Sequence, residues 1–173
     1  MMTLSTTLVN LQTAALNLLT ADQFFNGGAS ANEKAIPVIT ERKKDILGQI
    51  QTALGSVGIC ALVLTPTFQF HDPRNNEIPD LNGWAFITVT IYEDTPVNQG
   101  VNGTGIFAIA LAERVLCVIH CAPHGVLTGA VGGNEASTCF LGISRPIEML
   151  SEGPPLQYNV SFQAHVQLNP QYS

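Results

Sequence analysis

The residues best suited to chemistry sit in CVIHCAPH, where Cys117, His120, Cys121 and His124 fall close together. Thiolate and imidazole groups three or four apart on a helix can share a zinc ion, and Cys139 could replace one of them. Pro123 counts against this, because it takes His124 off any helix that ends near Cys121. The spacing is not that of a finger or ribbon, and the flanking residues are apolar. A satisfied histidine with two buried thiols is the reading they favour. A second cluster, HDPRNNEIPD, gathers His71, Asp72, Glu77 and Asp80. It lacks the alternating ligand register of a calcium loop, and its Asp-Pro and Asn-Asn pairs are ordinary turn chemistry. Ser144 stands in GISRP, so the nucleophile elbow G-x-S-x-G is absent. Gly125, Gly129, Gly132 and Gly133 do not follow phosphate-loop spacing, and no GKS or GKT comes after them. The expectation is a protein without catalytic residues, metal or cofactor.

The stretch from Trp84 to Cys121 organises the elements around those residues. In WAFITVTIYED, Ile87, Val89 and Ile91 share one face of a strand, with Thr88, Thr90 and Tyr92 on the other. A turn-rich loop over 95–104 leads to IFAIALAERVLCVIHC, an apolar helical pattern with Thr104 placed as its cap. Phe107, Leu111, Val115 and Val118 mark one helical face, and Ile109, Ala112, Leu116 and Ile119 a second. A helix apolar on most sides is expected to be buried on most sides.

Upstream, Leu4, Leu8, Leu11, Ala15 and Leu18 form the stripe of an amphipathic helix. FFNGGASANE then reads as a loop whose Phe24 and Phe25 need cover, from their own domain or from a neighbouring subunit. IPVIT (36–40) is a short edge strand with Pro37. Thr40 is expected to cap a second helix whose buried stripe is Ile46, Ile50, Ala53 and Leu54, ended by Gly55 or Gly58. Arg42, Lys43 and Lys44 fall in its first turn, a poor place for cations, and are candidates for interface contacts. ICALVLTPTFQF (59–70) reads as a strand, TCFLGIS and PIEML as shorter ones. LQYNVSFQAHVQL alternates most clearly: Tyr158, Val160, Phe162, Ala164, Val166 and Leu168 face the core, with polar residues between them. The expected class is α+β, a mainly antiparallel sheet with helices packed on one face, in a single domain over 1–173.

Composition narrows the function classes. Charged residues are only 12% of the 173, about half the usual share, and Asn, Gln, Thr and Ser fill the surface instead. Such a surface suits packing against copies of the same chain, because amides are cheaper to desolvate than charges. Seven Lys and Arg against 13 Asp and Glu give a net charge of −6, which disfavours non-specific nucleic-acid binding. No segment approaches the roughly 18 consecutive apolar residues of a membrane span. The N-terminus has no secretory pattern, so assembly in a host cytoplasm is expected. In that setting the four cysteines are expected as buried thiols.

The strand ITVTIYED, the run GTGIFAIALAERVLCVIH and the closing PIEML–GPP–LQYNVSFQAHVQL together resemble the tail-terminator, or tail-completion, proteins of long-tailed bacteriophages. The helical run AIALAERVLCVIH carries Ala108, Ala112, Glu113, Val115, Ile119 and His120, the residues on which the resemblance to the family's apolar second helix rests. The similarity spans residues 36 to 168. The chain departs from compact members by its N-terminal helix and Gly-rich loop (1–35) and by an insertion at 122–137. The resemblance implies a virion protein forming a closed, commonly hexameric ring. Such a ring caps the tail tube protein, halts its polymerisation and receives the head-side connector proteins. Genome DNA would pass without specific binding, and acidic residues would keep it off the wall. Glu77, Asp80, Glu93 and Asp94 are the candidates to face that lumen. The competing readings are another neck or tail subunit, such as a connector stopper or tube protein, and a small metal-binding enzyme.

Overall fold

A computed structural model describes residues 2–3, 7–28, 34–41, 44–70, 82–120, 138–145, 155–167 and 171–172. Helix α1 (Thr7–Ala21) buries Leu11, Ala15 and Leu19 completely, with Leu8 and Leu18 at the margin. At its end Asp22 caps a single helical turn, α2 (Gln23–Asn26), by accepting from the Phe24 N–H at 3.1 Å. Gly27 then closes the turn in the left-handed conformation. The diphenylalanine is therefore helical rather than looped. Phe25 is only 2% exposed within its own core, and the Ile36 N–H donates to its carbonyl at 2.9 Å.

Strand β2 (Val38–Thr40) is followed by α3 (Ile46–Val57). The helix starts at Asp45, not Thr40, because Asp45 Oδ1 accepts from the Gly48 N–H at 2.9 Å. Thr40 is strand, and Lys44 directly precedes the Asp45 cap rather than lying within the first turn; Arg42 and Lys43 lie outside the described residues. Ile50 and Ala53 are buried and Ile46 and Leu54 pack beside them, which is the expected stripe. Gly58 ends the helix at φ +78.

Residues 59–70 divide into β3 (Ile59–Val63) and β4 (Thr67–Phe70), and both pair antiparallel with β5 (Asn82–Glu93). One-turn helix α4 (Thr95–Asn98) and helix α5 (Ala108–His120) come next. Strands β6 (Thr138–Ser144) and β7 (Leu156–Gln167) complete the six-stranded sheet, ordered β2-β3-β5-β7-β6 with β4 also on β5. Every pairing is antiparallel except β2 with β3, which is parallel. That exception follows from α3, whose length carries the chain back across the sheet between the two strands. Two short pieces, β1 (Met2–Thr3) and β8 (Gln171–Tyr172), pair with each other.

The architecture is α+β. On one face, α1 and α5 cover Ile59, Ala61, Val63, Ile87, Val89, Ile91, Val160 and Phe162. Helix α3 lies on the other face, against Ile39, Cys60 and Leu62. Helices thus occupy both faces, because β3 is apolar on both sides and needs cover on both. Beyond α3 the second face carries Trp84 and Phe86 of β5 and, next to them, a polar ladder. There Thr90 donates to Asn159 at 3.0 Å, and the hydroxyls of Thr88 and Ser161 lie 3.3 Å apart.

Gly58 is where α3, β3 and α4 meet. A Cβ at this position would run into the backbone of Asn98, and the left-handed φ alone costs a substituted residue about 1–2 kcal/mol. Gly58→Ala is expected to lower the melting temperature by roughly 5–10 °C, taking ~2–4 °C per kcal/mol at this chain length. Thermal unfolding followed by circular dichroism checks this.

Candidate functional site

The most constrained polar site among the described residues lies where β5 hands over to α5. Glu93 is 1% exposed and Asn98 is fully buried. Glu93 Oε2 accepts from the Ala108 N–H at 2.7 Å, and Oε1 accepts from Asn98 Nδ2 at 2.8 Å. The same Nδ2 donates to the Ile106 carbonyl at 2.8 Å, while Asn98 Oδ1 accepts from the Thr104 hydroxyl at 2.7 Å. The Gly105 N–H donates to the Asn98 carbonyl at 2.9 Å. Glu93 is therefore the group that meets the first turn of α5, where the free N–H groups and helix dipole favour a carboxylate. Thr104, the expected cap, lies outside the helix: its hydroxyl accepts from the Ile106 N–H at 3.2 Å.

This corrects one expectation. Glu93 is a buried capping carboxylate, not an acid on a channel wall. Both its oxygens are occupied by donors from its own chain, so its work is to clamp 95–107 onto α5. The strand period signals its burial, since Glu93 continues the face of Ile87, Val89 and Ile91. Asp94 is half-buried and caps α4, accepting from the Val97 N–H at 3.3 Å. Glu77 and Asp80 lie outside the described residues.

The aromatic pair and basic run divide in the same way. Phe25 belongs to its own core and leaves the interface candidates. Phe24 is half-buried under Arg114, whose guanidinium carbon sits 4.8 Å from the ring centroid. Arg114 is held there by Asp22, donating from Nε at 3.1 Å and from a terminal nitrogen at 2.5 Å. Lys44 is exposed; Arg42 and Lys43 lie outside the described residues.

Helix α5 departs from the expected all-round burial. Ala108, Leu111, Ala112, Val115 and Ile119 face the sheet and α1. Phe107, Ile109, Ala110, Glu113, Cys117 and His120 are exposed. Cys117 and His120 of the zinc candidates thus share the solvent side, whereas Cys121, His124 and Cys139 have no described side chains. Among the described residues no group of three metal-ligating side chains converges.

The thiols differ in chemistry. Cys60 is fully buried beneath α3, and burial pushes its thiol up to about 12. The phenol of Tyr92 is raised too, by its own burial first and then by Cys60. Since the thiolate is the reacting species, Cys60 should resist iodoacetamide at pH 8 until the chain unfolds, while exposed Cys117 is alkylated in the native state. Peptide mass mapping before and after denaturation distinguishes the two.

One open groove adjoins these elements. It lies between α3 and the outer edge of β2, lined by Val38, Ile39, Gln49, Thr52 and Ser56, with a volume of about 710 Å³. No protein-family model and no curated protein matches the chain.

Proposed function

We propose that this chain is a structural virion subunit that assembles into a closed ring at the end of a bacteriophage tail. There it would stop the tube protein from adding further and present a platform to the head-side connector, while DNA passes through. The observation that carries the reading is the α5–β5–β7 unit. The helix bearing Ala108, Ala112, Glu113, Val115, Ile119 and His120 lies on an antiparallel pair in which β5 runs its whole length against β7. An apolar helix of this kind packed on the sheet is what the tail-terminator resemblance implies. Two further features support it. The clamp of Glu93 and Asn98 makes the 95–107 segment a stiff surface feature, and exposed apolar side chains occur on two separate helices. A ring needs two different complementary patches on each subunit.

Light scattering coupled to size exclusion, with negative-stain imaging of the same fractions, tests the proposal. Closed rings of uniform diameter are expected. Open helical tubes would point to a tube subunit, and a monomer at high concentration would overturn the ring.

A further inference from the structure

The chain contains three Asn-Gly pairs, at 26–27, 82–83 and 102–103. In such a pair the glycine nitrogen, with no side chain beside it, can reach the side-chain carbonyl carbon of the asparagine. We propose that Asn102 is a site of self-modification: the fold leaves it open to succinimide formation, assisted by Lys34, and holds the other two closed.

Asn82 and Gly83 are strand residues paired with Gln167 and Val166 of β7, and Gly83 pairs with Phe70 of β4 on its other side. Turning that glycine nitrogen toward the asparagine would break ladder bonds inside the sheet. Asn26 is exposed, but its amide is held at both ends. Its Oδ1 accepts from the Gly28 N–H at 2.9 Å, and its Nδ2 donates to the Ala21 carbonyl at 3.5 Å. Asn102 is exposed too, and its amide makes no hydrogen bond among the described residues. Val101 next to it is fully exposed, so water reaches this tip freely. The Gly103 N–H donates to the Gly100 carbonyl at 3.0 Å, a single turn bond that must open before attack. The Gly27 N–H is likewise engaged, with the Gln23 carbonyl. The asparagine side chains, not the glycines, therefore separate the two exposed sites.

Lys34 supplies a second difference. Its ammonium donates to the Asn102 carbonyl at 2.6 Å, and that carbonyl belongs to the Asn102–Gly103 peptide. The attacking species is this peptide deprotonated at nitrogen, with its negative charge shared onto the oxygen. A cation hydrogen-bonded to the oxygen stabilises that form. Nor can the loop avoid the reactive glycine, because a Cβ at 103 would overlap the Asn98 carbonyl oxygen. In the reaction Gly103 nitrogen loses its proton to hydroxide and bonds to Asn102 Cγ, and the side-chain nitrogen takes up a proton and leaves as ammonia. Water then opens the ring at either carbonyl, giving aspartate or isoaspartate. Both place a carboxylate at the loop tip, and isoaspartate also adds a methylene to the main chain of the Gly100–Gly103 turn. This chemistry belongs to the single chain and does not require the ring.

The test holds the full chain folded at neutral pH and body temperature for days, with peptide mass mapping that separates aspartate from isoaspartate. Asn102 should convert roughly tenfold faster than Asn26 or Asn82, with both products present. In urea the three should convert at similar rates, because only the fold distinguishes them. Lys34→Ala, verified as folded by near-ultraviolet circular dichroism, should slow Asn102 by roughly threefold to tenfold. Lys34→Arg should keep most of the wild-type rate. Equal rates at the three sites in folded protein, or a preference for Asn102 that survives in urea, would overturn the assignment. So would a Lys34→Ala protein that converts at the wild-type rate, or aspartate formed without isoaspartate, which marks direct hydrolysis of the amide.

Discussion

Leu111→Asp is expected to abolish the folded state. Leu111 is fully buried in the middle of α5, within the core formed with β5, β7 and α1. Removing the isobutyl group costs about 2–5 kcal/mol in lost burial and cavity formation. The carboxylate that replaces it has no cation among the described residues of that core and must either be buried charged or take up a proton, which adds several kcal/mol more. The total matches or exceeds the ~5–15 kcal/mol that separates a typical folded domain from its unfolded chain. The variant should be recovered as aggregate or as protein without near-ultraviolet circular dichroism. Leu111→Ala is the control: it keeps the helix, pays only the first cost, and should fold with a melting temperature lower by roughly 5–15 °C. Native-like, protease-resistant Leu111→Asp protein would mean that α5 does not form the centre of the core.

Much of this framework is legible in the sequence, for physical reasons that differ by element. Strand β7 alternates most cleanly because one face lies under helices and the other is polar, and β5 keeps period two through Ile87, Val89 and Ile91 against Thr88 and Thr90. Helix α5 is visible for the same reason at period 3.6. Its exposed side was misread, since Ile109 and Phe107 look like core residues and only the tertiary structure shows which way they point. The start of α3 was misplaced because Thr40 and Asp45 are both good caps, and the choice falls to strand β2, which claims Thr40 by pairing it with Val63. The parallel β2–β3 contact was missed because a helix of this length can link strands of either sense, whereas a tight turn forces antiparallel pairing. Of the site candidates, the surface positions carry no local signal at all. Whether Phe24 or Phe25 is covered depends on Arg114 and Ile36, remote in sequence. Glu93 is the instructive case: parity put it inside, its charge suggested outside, and the N-terminus of α5 resolves the conflict by receiving it.

That resolution makes Asn98→Asp the second variant with a large expected effect. The substitution is nearly isosteric, so packing around position 98 is preserved. What changes is the polarity of one atom. Asn98 Nδ2 donates both to Glu93 Oε1 and to the Ile106 carbonyl, each at 2.8 Å. An aspartate oxygen there faces two acceptors, one of them a carboxylate, with no solvent to screen them, while the Thr104 hydroxyl keeps its partner on the other oxygen. Loss of two buried hydrogen bonds together with like-charge contact is expected to cost about 3–5 kcal/mol. Glu93→Gln is milder, because one oxygen remains for the Ala108 N–H and only the Asn98 side is left donor against donor; about 1–3 kcal/mol is expected. The combination separates hydrogen-bond polarity from packing. In Glu93→Gln with Asn98→Asp the amide and the acid exchange places, so a donor again faces an acceptor across the 93–98 contact, although Ile106 stays unsatisfied. The double variant should therefore be more stable than Asn98→Asp alone, with a coupling of at least ~1 kcal/mol in urea unfolding. Additive losses would mean that the Glu93–Asn98 hydrogen bond does not hold the 95–107 segment to α5. The segment would then owe its position to the glycines at 58 and 103, where Asn98 is packed too closely for a side chain.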